Sequence, residues 1–199
     1  MPMTHFEQRD YANQHFHELT MPSLVLSKIE FYGCSFDHCD FSLSKWQECK
    51  FDQCEFIDCD LSGINLKGSR LNGVVFIGCK LIEVDWTLVK WPQIAISDPL
   101  NFQQCILHDS TFFGLSMSGM VMSRCKVHDV DFSEADLTSA DFGYSDLSDA
   151  LFRNTTLVEA NFVGAEYYRI DIFNNDIRRA KFELPEAMSL LNSLDIELQ

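Results

Sequence analysis

The sequence predicts an all-β solenoid, a chain of 199 residues wound into stacked coils that pair in parallel. Three regularities predict it. Phe or Trp stands at positions 31, 36, 41, 46, 51 and 56, a step of five that suits neither the 3.6 period of a helix nor the 2 of a strand. All eight cysteines (34, 39, 49, 54, 59, 79, 105 and 125) fall two places before such a centre, a place otherwise held largely by Ser or Ala. Gly33, Gly63, Gly68, Gly73, Gly78, Gly114, Gly119 and Gly164 fall two places after one, where a corner with positive φ favours a residue without Cβ. One large and one small inward residue per repeat, followed by a corner, describes a narrow rod whose coils rise by about 4.8 Å. Its core has no room for a pocket.

The elements follow in chain order. Over residues 1–20 the inner small position holds Arg9, Gln14 and Leu19, so this stretch is expected to be a cap or an irregular start. Residues 21–91 form a first stack, with centres from Met21 and Leu26 to Trp86 and Trp91. Over 92–101 the phase slips by one residue, and Pro92 and Pro99 remove ladder donors. A break just after Trp91 is therefore expected to kink the rod; a functional joint and a tolerated insertion both fit. Residues 102–182 form a second stack, with centres from Phe102 through Phe132, Phe152 and Phe162 to Tyr167, Ile172, Ile177 and Phe182. Over 183–199, Pro185 suits a first helical turn, Glu183 and Glu186 suit its N-terminus, and Ala187, Leu191, Leu194 and Leu198 recur near helical spacing. This predicts a short C-terminal α-helix capping the last coil. Met188, Leu190 and Ile196 make it apolar on more than one side, and a second buried face needs a second chain.

A formal charge of −15 argues against direct binding to nucleic acid or to an anionic membrane. The first residues lack a basic segment followed by an apolar one, and no run of eighteen apolar residues occurs, so a soluble cytoplasmic protein is expected. Without signs of secretion the cysteines are expected reduced, as small packing groups. No Cys-x2-Cys pair occurs, and His38 and His108 lack partners at ligand spacing, so no metal or cofactor is expected. No catalytic set stands apart from the repeat, which argues against an enzyme.

Acidity is concentrated toward the C-terminal half. Asp131, Glu134, Asp136, Asp141, Asp146, Asp149 and Glu159 face a single Arg153 over residues 131–160. Asp131, Asp136, Asp141 and Asp146 each precede a centre, and a spacing of five turns them toward successive faces. Asp146 should stack beneath Glu166, and like charges placed opposite each other destabilise a sheet. An acidic surface kept at that cost hints at use, although such aspartates also bond turn backbone.

The stretch ADLTSADFGYSDLSDALFRN at 135–154 resembles the pentapeptide repeat proteins. The resemblance implies a right-handed quadrilateral parallel β-helix of four repeats per coil, so that residues 20 apart stack: Phe36, Phe56 and Phe76 in one ladder, Phe112, Phe132 and Phe152 in another. The segments CKLIEVDWTLVKWP, YYRIDIFNNDIRRAKF and the tail LPEA followed by SLLNSLDIEL are similar to antibiotic-resistance members that act on DNA gyrase, above all the albicidin-resistance type. What this implies is a DNA-mimicking homodimer that occupies the DNA-binding saddle of gyrase, with topoisomerase IV left open as a second target. The contacts would come from Asp131, Glu134, Asp136, Asp141, Asp146, Asp149, Glu159, Glu166, Asp171 and Asp176. Dimerisation would use Met188, Leu190, Leu191, Leu194, Ile196 and Leu198. An end-to-end dimer roughly 80 Å long with a charge of about −30 carries one charge per ~2.7 Å, against one per ~1.7 Å of duplex DNA. The quinolone-resistance members carry projecting loops, and the period read here shows no comparable insertion. The alternative is a pentapeptide scaffold whose acidity serves solubility.

Overall fold

Each repeat lays three residues along one side of a four-sided coil and turns in the other two. The three residues alternate exposed, buried, exposed, as in Glu30–Tyr32 and Lys45–Gln47. This is the alternation expected of short strands around one inward centre. The computed structural model describes residues 6–91, 100–194 and 196. Pairing between coils is parallel with a register of 20, so Phe16, Phe36, Phe56 and Phe76 share one column. Their rings stack 4.9, 4.7 and 5.2 Å apart. Regular pairing already begins at Asp10–Ala12 against Glu30–Tyr32, inside the stretch expected to be irregular.

Corners lie two residues after most centres and take positive φ. Gly63 does so at +66°, yet Leu43, directly beneath it, adopts 58°. A left-handed residue with a Cβ costs roughly 1–2 kcal/mol. The inter-coil ladder offsets that cost at every turn, for example through the 2.8 Å bond from Leu43 N–H to the Ser62 carbonyl.

The small inner position has a second duty. Its side chain donates to the carbonyl of a centre 23 residues earlier: Ser69 Oγ to Trp46 at 2.7 Å, Cys79 Sγ to Phe56 at 3.3 Å, Thr155 Oγ1 to Phe132 at 3.0 Å and Asn175 Nδ2 to Phe152 at 3.0 Å. Where it carries a hydroxyl it also accepts from the coil below, as Cys49 N–H does to Ser69 Oγ at 2.9 Å. Cysteine fits because a thiol is small, apolar and still a weak donor.

All eight thiols are free and buried. Hydrogen bonding to Cys105 and burial push Cys79 up to about 12, hydrogen bonding to Cys125 and burial do the same for Cys105, and burial pushes Cys54 up to about 11. The native protein should therefore resist a thiol reagent at a pH of about 8 and expose all eight groups on unfolding. Because unfolded thiols ionise near about 8.5 and those of Cys54, Cys79 and Cys105 well above when folded, the folded state holds more protons between those values. Stability is full below that window and falls as pH rises through it. Denaturant titrations at a pH of about 8 and about 10.5 measure the loss.

Around the expected break, Val75–Ile77 pairs with Asn101–Gln103, Phe76 opposite Phe102 with rings 5.2 Å apart. Lys80 pairs with Ile106 and Asp85 with Thr111. The register has grown from 20 to 26, as in the bond from Val84 N–H to Ser110 Oγ. Six residues are thus inserted after Trp91, which corrects the reading of an uninterrupted period. One added repeat and one added residue look like a slip of one when a sequence is read in steps of five. Three sides of the coil continue across the junction, in place of the two separate stacks expected. Pro92 and Pro99 lie outside the described residues. The junction also joins two cysteine groups into one column running Cys39, Cys59, Cys79, Cys105 and Cys125.

Near the C-terminus the inward centre moves by one residue. Tyr167, expected inside, is 58% exposed at a corner with φ of 61°, and Tyr168 is buried in its place. Tyr168 packs against Phe162 and Phe182, at 5.5 and 5.6 Å. The tail forms a helix over Glu186–Leu194, but of the 3-10 kind rather than α. Nine residues are too few for a self-sustaining α-helix, so tertiary anchors set the geometry. Here Glu186 accepts from Tyr167 N–H at 2.7 Å, and Leu190 packs against the core. Among the described residues, no helix is long and apolar enough to cross a membrane.

Candidate partner-binding surface

The void among Trp46, Phe56, Leu66, Phe76 and Trp86 in the interior measures about 10 Å³, too little for a ligand. Candidate function therefore lies outside. The four repeat aspartates stand in four separate columns. Asp131 follows Thr111, Asp136 follows Ser116, Asp141 follows Val121 and Asp146 follows Lys126. They do not converge. Each spends one oxygen on its own turn: Asp131 on Ser133 N–H at 2.9 Å, Asp136 on Thr138 at 3.0 Å, Asp141 on Gly143 at 2.9 Å and Asp146 on Ser148 at 3.0 Å. Asp171 and Asp176 do the same with Phe173 and Arg178. The turn explains why aspartate is used here, and the second oxygen still presents charge outward.

The ten expected acidic contacts divide by their neighbours. Asp149 lies 3.7 Å from Arg169, Glu159 2.9 Å from Arg179, Asp176 2.6 Å from Arg178 and Asp146 2.8 Å from His128. Burial alone would raise the Asp146 carboxyl, but hydrogen bonds from Ser148 and His128 hold it below the usual range. The Arg178 guanidinium holds Asp176 low in the same way. Asp131, Glu134, Asp136, Asp141, Glu166 and Asp171 form no ion pair among the described residues. Glu166 does stack on Asp146, as expected from the period.

The densest acidic feature was not legible in the sequence. Glu83, Asp109, Asp129 and Asp149 occupy the same corner of four successive coils, each exposed and each with φ near 57°. Glu83 N–H bonds the His108 carbonyl at 2.9 Å, and Asp109 N–H the His128 carbonyl at 3.1 Å, which fixes the stacking. The signal was an acidic residue two places after every fourth centre, hidden because the inserted residues separate Glu83 from the others. The ridge carries one charge per coil, about 4.8 Å apart. On another side the order reverses: Lys50, Arg70 and Lys90 line a groove with Asn72 and Trp91.

The tail residues expected at a dimer contact are unevenly placed. Met188 is 43%, Leu194 37% and Ile196 53% exposed, while Leu190 and Leu191 are half-buried and Leu198 lies outside the described residues. Phe173 at 71% and Leu184 at 72% join them as exposed apolar groups that sequence reasoning missed. An isolated exposed Leu is ordinary, but these large apolar groups are all exposed within the last 27 residues of the sequence.

Comparison with known proteins places this architecture. No curated protein sequence matches the chain. A trypsin-treated form of QnrB1, a plasmid-mediated fluoroquinolone resistance protein, aligns over 96% of this chain and 91% of that one, at 21% identity and a TM-score of 0.44. HetL, a pentapeptide repeat protein involved in heterocyst differentiation regulation in the cyanobacterium Nostoc, aligns over 88% and 90%, at 16% identity and a TM-score of 0.37. The family pattern described as the pentapeptide repeat region matches residues 29–99 and 84–162. Those two matches span the coils on both sides of the inserted residues, and the chain belongs to the pentapeptide repeat family.

Proposed function

We propose that this chain is a DNA-mimicking protein that binds DNA gyrase through its acidic exterior and shields the enzyme from a poison such as albicidin. It would act in the cytoplasm as a homodimer joined at its C-terminal ends, and not as an enzyme. The observation that carries the reading is the corner ridge of Glu83, Asp109, Asp129 and Asp149. Like charges held one coil apart cost stability, and they offer a rigid line of anions at about 4.8 Å, comparable to the ~3.4 Å spacing along one DNA strand. A basic saddle built for duplex DNA recognises such a line by electrostatic complementarity, with fast and salt-sensitive association.

Purified protein added to a gyrase supercoiling assay, with and without albicidin or a quinolone, tests the reading. Protection from the poison, weakening as salt rises, is the expected result. No effect at low or moderate salt leaves the scaffold reading in its place. Reversing Asp109 and Asp129 to Lys should slow association about tenfold at low salt without unfolding the rod, since both side chains are exposed.

A further inference from the structure

Three of the chain's six histidines, His15, His17 and His38, meet on one side of the first two coils, although local spacing gave no reason to expect a metal site. His15 and His17 flank the inward Phe16 on the strand His15–His17, so both imidazoles point outward on the same side. Their rings lie 6.0 Å apart and nearly parallel. The 20-residue register sets Asp37 of the next coil directly opposite His17. One donor atom each from His15, His17 and Asp37 lie within 4.8 Å of one another. His17 Nδ1 is 3.0 Å from Asp37 Oδ2, and the other Asp37 oxygen is held by His38 Nδ1 at 2.6 Å.

We propose that His15, His17 and Asp37 bind a divalent zinc ion that clips the first coil to the second. Two imidazoles and one carboxylate favour zinc over calcium or magnesium, which prefer all-oxygen shells. Tetrahedral bonds of about 2.0–2.2 Å require the donors to close by roughly an ångström, within the reach of exposed side chains. The ion takes the place of the hydrogen bond between His17 and Asp37. His38 acts through Asp37, fixing the orientation of its carboxylate as outer partners of metal ligands do. Water fills the fourth position, and Glu18, whose Oε1 lies 3.3 Å from His17 Nε2, accepts the N–H of the ring nitrogen that does not hold the ion.

The location gives the ion a use. Among the described residues the first coil pairs with another coil on one side only, and its Phe16, Leu19, Met21 and Leu24 are half-buried, whereas Phe36 one coil on is 1% exposed. Terminal repeats of a solenoid need such extra support. Ligands drawn from two adjacent coils convert binding free energy into stability of that end.

The test is titration of the intact protein with zinc chloride, followed by calorimetry and by thermal unfolding. One zinc per chain and a raised Tm are expected. Both should disappear in the double variant His15→Asn, His17→Asn and in Asp37→Asn, and both should survive in His108→Asn. Circular dichroism verifies that each variant is folded, and cobalt(II) in place of zinc should give the visible bands of tetrahedral nitrogen and oxygen ligation in the parent protein and in His108→Asn, and in neither of the other variants. Absence of binding, binding retained by the double variant, or equal loss in His108→Asn would overturn the proposal.

Discussion

Phe56→Ala is expected to cost about 3–5 kcal/mol in denaturant unfolding and to split one transition into two. Phe56 is 1% exposed, and its ring stacks on Phe36 at 4.7 Å and on Phe76 at 5.2 Å. It also touches Phe51 and Trp46, at 5.8 and 6.0 Å. Truncation removes two stacked partners and leaves a cavity that the neighbouring coils cannot close, because backbone hydrogen bonds fix the rise between them. In a solenoid each coil is stabilised by the coils above and below, so a defect at Phe56 uncouples the N-terminal coils from the rest. Phe56→Leu should cost much less. A cost under about 1 kcal/mol for the alanine variant would mean that the aromatic column does not organise the core.

The proposed dimer carries the second large effect. The parent chain should sediment as a species of twice its 22.9 kDa mass, and Leu184→Asp with Met188→Asp should return it to a single chain. Both residues are exposed, at 72% and 43%, so a charge there leaves each protomer intact but cannot be buried against a second copy. Leu191 is a less informative site. It is half-buried within its own protomer, and an Asp there would disturb the cap as well as any interface. An unchanged mass in the double variant would remove the C-terminal end from consideration as the contact.

Much of the fold was legible because the information is periodic. The centres at Phe36, Phe56 and Phe132, the inward thiols and the positive φ at Gly63 and Gly78 all follow from one step of five. What was not legible lies where the period is broken or where meaning is carried at a separation of 20. The six residues after Trp91 read as a slip of one, and the exchange of Tyr167 for Tyr168 depends on packing beneath Phe182. The acidic corner and the His15, His17 and Asp37 cluster are assembled only by stacking, so a search for ligands close in sequence passes over them. The repeat aspartates were visible as charge, but their hydrogen bonds to Ser133, Thr138, Gly143 and Ser148 were not.

The side chains that reach back 23 residues give the rod a polarity. Ser69 and Thr155 satisfy carbonyls made earlier in the chain, and nothing in an earlier coil returns the favour through the same position. The inner backbone of each coil is therefore completed by the coil that follows it in the chain. Among the described residues Asn175 is the last to reach back in this way, and beyond it Leu190 of the helix Glu186–Leu194 packs against the core, so the unanswered side of the coil is met there by a lid and not by another turn of the same kind.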